Sequence, residues 1–179
     1  MKTEVLKKND MYKVFNDITL KNEIIIFGSS FMANFPFYEL AHKYLLSNAI
    51  YNRSIDGLTL AEADEILENC VLKAKPSKVF YALGEKDAEN EMSLTIYEDI
   101  LHKTKASLPD CKIYVLSLPD VNGKYDNYNS RLKKLCEKAN AVFISLNYNN
   151  SHSGIYRQLS LFFRTGRAIT FSEAFQMAE

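Results

Sequence analysis

Short apolar runs rich in Ile, Val, Phe and Tyr alternate with longer stretches of helical periodicity along nearly the whole chain. The runs occupy residues 23–27 (EIIIF), 49–52 (AIYN), 78–83 (KVFYAL), 112–118 (KIYVLSL) and 141–146 (AVFISL). None has the polar alternation of a half-solvated strand, so each predicts a parallel strand covered on both faces. Apolar spacing predicts helices near residues 3–18, 34–48, 59–74, 89–106 and 127–139, and a further helix within 154–178. In residues 127–139, Tyr128, Leu132, Leu135 and Cys136 fall on one stripe. Strands separated by helices of this length imply right-handed crossovers and a doubly wound, three-layer α/β/α domain with a five-stranded parallel sheet. Residues 1–20 read as a helical extension packed on its outside. No repeat, low-complexity tract or Gly-, Pro- or Ser-rich linker divides the chain, so residues 1–179 read as one domain. Only the Asn-rich stretch 147–154 (NYNNSHSG) reads as a mobile loop.

Composition narrows the function more than the fold. Lys plus Arg number 22 and Asp plus Glu number 22, so there is no basic excess to hold nucleic acid or an anionic membrane, and neither partner is expected. Cys70, Cys111 and Cys136 are odd in number and widely spaced, which fits small buried hydrophobes in a reducing compartment and not a zinc or disulfide frame. The first residues, MKTEVLKKNDMYKVFND, lack the apolar run of a signal peptide. No apolar stretch approaches the roughly 18 residues that span a bilayer. The expected setting is the cytoplasm, and no metal is expected.

Ligands of such sheets bind outside the carboxyl ends of the strands. The turns there read Gly28-Ser29-Ser30, Arg53-Ser54-Ile55-Asp56-Gly57, Gly84-Glu85-Lys86-Asp87 and Pro119-Asp120. The first lacks both the Gly-x-Gly-x-x-Gly spacing and a terminal Gly-Lys-Ser/Thr, so a nucleotide or flavodoxin-like cofactor is not expected. Taken together, IIIFGSSFM, YNRSIDG and FYALGEKD resemble the first three blocks of the SGNH, or GDSL-like, hydrolases, a superfamily of serine esterases and acylhydrolases. The resemblance spans residues 23–90 in order and separation, and YNSRLKKLCEKANAVFISL also looks like the family's helix leading into its last strand. It implies a flavodoxin-like SGNH fold acting on small acyl or acetyl esters, including esters of carbohydrates. It places Ser30 at the nucleophile, Ser29 where Asp is usual, and Gly57 and Lys86 at the oxyanion-hole positions, with Lys86 in place of Asn.

The family's fifth block, Asp-x-x-His near the start of the final helix, supplies the base and its orienting acid. Aligned to FFRTGRAITFSEAF, it falls on Thr165 and Ala168, or on Gly166 and Ile169, and neither register contains Asp or His. The resemblance therefore implies a degenerate triad and weak or absent hydrolysis; the alternative is a non-catalytic module binding a small molecule or carbohydrate on the same fold.

Each residue also has a plainer reading. Ser30 could simply cap the helix it opens. Of the histidines, His42 and His102 lie inside helices, whereas His152 follows the last strand on the catalytic edge as a solvated loop residue or a substitute base. Lys86 is a solvated turn lysine, an oxyanion donor or, less readily between Glu85 and Asp87, the neutral base of a Ser–Lys pair. Asp56-Gly57 is itself a turn signal. Asn52 reads as a tie between turns, Asp87 as the cap of the 89–106 helix. Arg164 and Arg167 are solvated charges or an anion-binding pair. Phe31, Phe35, Phe37 and Tyr38 read as core, part of which could line an acyl pocket.

Overall fold

Each of the five apolar runs forms a strand in the computed structural model, which describes residues 1–44, 49–120 and 122–163. The strands are β1 (Ile24–Gly28), β2 (Ile50–Asn52), β3 (Lys78–Ala82), β4 (Lys112–Leu116) and β5 (Val142–Ile144). They lie in the order β2-β1-β3-β4-β5, and every neighbouring pair is parallel. This is the flavodoxin-type doubly wound order, which gathers all carboxyl ends on one edge. β1 and β3 are buried along their whole length because helices cover both faces.

The period of two along a strand sorts the core into two halves. Ile25, Phe27, Val79, Tyr81, Ile113 and Val115 face one side, under α1 (Thr3–Phe15), α4 (Leu60–Cys70), α5 (Ser93–Ser107) and α6 (Asp126–Lys138). Ile24, Ile26, Phe80, Tyr114, Leu116 and Ile144 face the other, under α2 (Ser30–Ala33), α3 (Phe37–Lys43) and α7 (His152–Phe163). The second side is heavily aromatic: Phe80 stacks on Tyr114 at 4.5 Å, and Phe163 meets Phe80 edge-on at 5.1 Å.

The helices differ from expectation where turn chemistry intervenes. Of the predicted 34–48 helix, the described residues form α3 from Phe37, because Pro36 lacks an N–H and disfavours helical backbone at Phe35; the short α2 precedes it. Phe35 and Phe37 are buried there, but Tyr38 is 83% exposed and is not core. α5 begins at Ser93, not near residue 89, because the bonds Asp87 N–H to Gly84, Asn90 N–H to Asp87 and Met92 N–H to the Asn90 side chain occupy the chain as successive turns. α7 opens at His152, inside the stretch expected to be mobile. Residues 164–179, which include Arg164 and Arg167 and the sequence-based fifth block, lie outside the described residues.

Two buried cations fasten helices to the sheet. Lys78, 4% exposed at the start of β3, donates to the carbonyls of Phe162 (2.6 Å) and Phe163 (3.1 Å), the positions where a cation best complements a helix carboxyl end. α7 spans about 18 Å and β3 about 16 Å, so pinning Phe163 to the start of β3 brings His152 to its carboxyl end. Arg53, 2% exposed just after β2, donates to Asn16 Oδ1 (2.6 Å), Thr19 Oγ1 (2.7 Å) and the Asn69 carbonyl (2.9 Å), and lies 5.3 Å over the Tyr12 ring. It thereby ties α1 to the end of α4. These partners are neutral, and burial holds its guanidinium below its ordinary value. Arg53→Met is expected to destabilise the fold by about 2–4 kcal/mol, measured as a lower urea midpoint, because the buried acceptors lose their donor.

Candidate active site

β1 ends on Gly28 because nothing larger fits: a Cβ there would lie 2.8 Å from the Ala82 carbonyl oxygen and 2.9 Å from the Ala82 Cβ. Ser29 N–H continues the ladder to that same carbonyl at 2.9 Å, and its side chain is fully buried with its hydroxyl unpartnered. The chain then leaves the sheet at Ser30. The Ser30 hydroxyl does not cap α2, in which Ser29 holds the cap position and makes no side-chain cap bond. Instead Ser30 Oγ accepts the N–H of Gly57 at 3.0 Å. Gly57 stands at φ +65°, a left-handed conformation that a side chain would strain. Two turns 27 residues apart in sequence therefore meet at the nucleophile position. Asn52 joins them again, donating to the Met32 carbonyl at 2.8 Å and accepting the Ser54 N–H at 3.1 Å.

In the turn after β3, it is Glu85 that touches the nucleophile turn. Its Oε1 accepts the Phe31 N–H at 3.3 Å. Burial pushes its carboxyl up; the Phe31 N–H and the Lys86 charge only partly offset this, and Asp56 adds to it. Lys86 is exposed and lines a groove with Glu85, Ala88, Glu89, Lys124 and Tyr125, and Ser30 does not line it. Asp87 caps a different helix from the one expected: its Oδ2 accepts the Leu60 N–H at 3.0 Å, at the start of α4. α5 begins too late in the chain for Asp87 to serve it, and the turn lies against α4 instead.

The third side of the site is built after β5. Asn147 folds this stretch into a turn, its side chain accepting the Asn149 N–H at 3.1 Å and its carbonyl the Asn150 N–H at 3.1 Å. His152 is thus the first residue of α7 and not a loop residue. Its ring lies 5.3 Å from Phe35 and 6.4 Å from Phe31, the residue next to Ser30. Tyr148 meets the other flank of Phe31 at 4.9 Å, and its hydroxyl donates to the Ser117 carbonyl at the end of β4. His42 and His102 lie in α3 and α5, as expected.

Two residues of this cluster were not legible in the sequence: Glu85 as a contact, and Tyr148. Asn149-x-x-His152 keeps the Asp-x-x-His spacing, with Asn for Asp, immediately before the helical stripe Ile155, Leu159 and Phe163. Among the described residues, no group of three or more His, Cys, Asp or Glu could hold a metal ion, and no helix is long and apolar enough to cross a membrane.

No family model matches the chain, and no curated relative matches it. Solved structures do. A protein from Streptococcus pneumonia, provisionally described as a platelet activating factor, superposes with a TM-score of 0.77 at 19% identity over 90% of this chain and 93% of that one. A GDSL-like lipase from Bacteroides thetaiotaomicron gives 0.65 at 12% identity, covering 95% and 92%. An acetylxylan esterase from Geobacillus stearothermophilus gives 0.56 at 15% identity, covering 70% and 77%. The fold is that of the SGNH hydrolases. Within this SGNH fold the strand-end turns carrying Ser30, Gly57 and Glu85 are contiguous, and the ring cluster around Phe31 joins His152 to them.

The raised carboxyl of Glu85 fixes the sign of a pH effect. An acid held above its ordinary value binds its proton more tightly when folded. Ionised Glu85 therefore opposes folding at pH above its raised folded value, and the opposition fades as pH falls from there to the ordinary carboxylate range, around pH 4.3 on average. Glu85→Gln keeps an oxygen for the Phe31 N–H while removing the charge. It is expected to raise Tm at pH 7, with the gain shrinking at pH 4, in parallel thermal melts.

Proposed function

We propose that the protein is a slow serine ester hydrolase for small acyl or acetyl esters, including acetyl esters of carbohydrates, with Ser30 as nucleophile and His152 as base. The observation that carries the reading is that α7 opens on His152 with its ring packed over the two phenylalanines that follow Ser30. His152 takes the Ser30 proton as Oγ forms its bond to the acyl carbon, and the carbonyl oxygen becomes an oxyanion facing the Gly57 N–H. The alcohol departs with the proton from His152. Water, deprotonated by the same imidazole, then attacks the acyl–Ser30 ester, and the imidazolium returns that proton to Ser30 Oγ as the acid leaves.

Asn149 occupies the orienting position in this reading. An Asn carbonyl can hold an imidazole by its N–H, as in Cys-His-Asn proteases, but lacks the charge that stabilises the imidazolium. Activity is therefore weak by construction, not absent. A reducing, cytoplasmic setting fits the free, buried Cys70, Cys111 and Cys136.

Turnover of p-nitrophenyl acetate tests the reading. Hydrolysis above background should vanish in Ser30→Ala and in His152→Ala, and Asn149→Asp should raise kcat by about tenfold or more. Turnover indifferent to Ser30→Ala would remove the nucleophile assignment. Saturable ester binding with no turnover in any variant would favour a binding module on the same fold.

A further inference from the structure

The Gly57 N–H matters to the site, yet Gly57 is poorly restrained by packing. Glycine is the residue with the most backbone freedom. Chain neighbours aside, the one heavy atom within 4 Å of the place a Cβ would take is Lys2 Nζ, at 3.8 Å. That ammonium donates to the Gly57 carbonyl at 2.6 Å and lies 3.4 Å from Glu62 Oε2. The Lys2 backbone N–H donates to Glu62 Oε1 at 3.0 Å, and Glu62 is in turn held by Thr59 in the capping box that starts α4. Lys2 itself is steadied by α1, whose Val5 and Tyr12 are buried in the core.

Gly57 is thus gripped at both of its peptide groups, the N–H by Ser30 Oγ and the carbonyl by Lys2. The first grip ceases to help once Ser30 Oγ bonds to an acyl group and the N–H must serve the oxyanion instead. Only the second persists through the reaction. We propose that Lys2 is a positioning residue that locks the Gly57 peptide so that its N–H stays aimed at the nucleophile position. The effect on turnover rests on the hydrolase reading above; the lock on Gly57 does not.

A merely structural role would look different. The Lys2 side chain is 55% exposed, and in Lys2→Met the buried Glu62 keeps the Lys2 and Thr59 backbone N–H donors, so loss of the half-exposed ion pair costs little stability. Lys2→Met should therefore leave Tm nearly unchanged while loosening Gly57. The experiment compares wild type, Lys2→Met and Lys2→Arg by amide hydrogen exchange at Gly57, read by NMR, and by p-nitrophenyl acetate kinetics. Lys2→Met is expected to speed Gly57 exchange about tenfold and to lower kcat by a similar factor at unchanged KM, since an oxyanion donor acts in the transition state. Lys2→Arg, which can still donate to the carbonyl, should restore most of both. Gly57 exchange at the wild-type rate in Lys2→Met would overturn the proposal whatever the kinetics. A wild type without Ser30-dependent turnover would defeat the hydrolase reading alone, and Gly57 exchange would still decide the lock.

Discussion

The close approach of β1 to β3 at Gly28 sets the geometry of the whole carboxyl edge. With no side chain between them, the Ala82 carbonyl remains within reach of the Ser29 N–H, and the Gly28 carbonyl takes the Ile55 N–H from the opposite side. The chain is hydrogen-bonded to both neighbours until the last possible residue and turns out sharply at Ser30. That is why Ser30 emerges between the turns of β2 and β3, and why Gly57 and Glu85 can reach the same short segment from opposite sides. A bulkier residue at position 28 would part the strands and dissolve this meeting of turns.

Much of this was legible in the sequence, and the parts that were not share a cause. Unbroken Ile, Val, Phe and Tyr runs announce strands, so all five were readable to within two residues. The expected cover on both faces holds for β1 and β3 but not for the edge strands, since β2 is half-buried throughout and Val142 of β5 is exposed. The first two blocks of the site were readable because their spacing is fixed by the sheet: Ser30 and Gly57 follow adjacent strands. What escaped were features decided by short side-chain bonds to distant partners. Asp87 could be recognised as a cap but not assigned to α4, since the turn's direction is set by tertiary packing. The start of α7 was misplaced because an Asn-rich stretch reads as loop, while in the fold Asn147 closes a turn that launches the helix at His152. The helix thereby carries His152, which the sequence offered as a substitute base, on its first turn.

The buried charges divide into two kinds. Lys78 and Arg53 donate to carbonyls and neutral side-chain oxygens, and both serve to fasten helices to the sheet. Glu62 is also buried; burial pushes its carboxyl up, but bonds from Lys2 and Thr59 more than reverse this and hold it below its ordinary value. Glu85 has one backbone donor and a neighbouring cation, which do not offset its burial. A carboxylate whose burial is not offset thus sits beside the nucleophile turn, where perturbed groups tend to collect at working sites.

Both outer strands of the sheet, β2 and β5, are only three residues long. A lateral edge of that length offers an incoming strand little to pair with, and short edges are one way natural sheets resist growing into aggregates. The interior strands, rich in the residues most prone to fibril-like stacking, are shielded on both flanks by these stubs and on both faces by helices. The brevity of the flanking strands thus leaves little lateral edge through which such central segments could recruit another sheet.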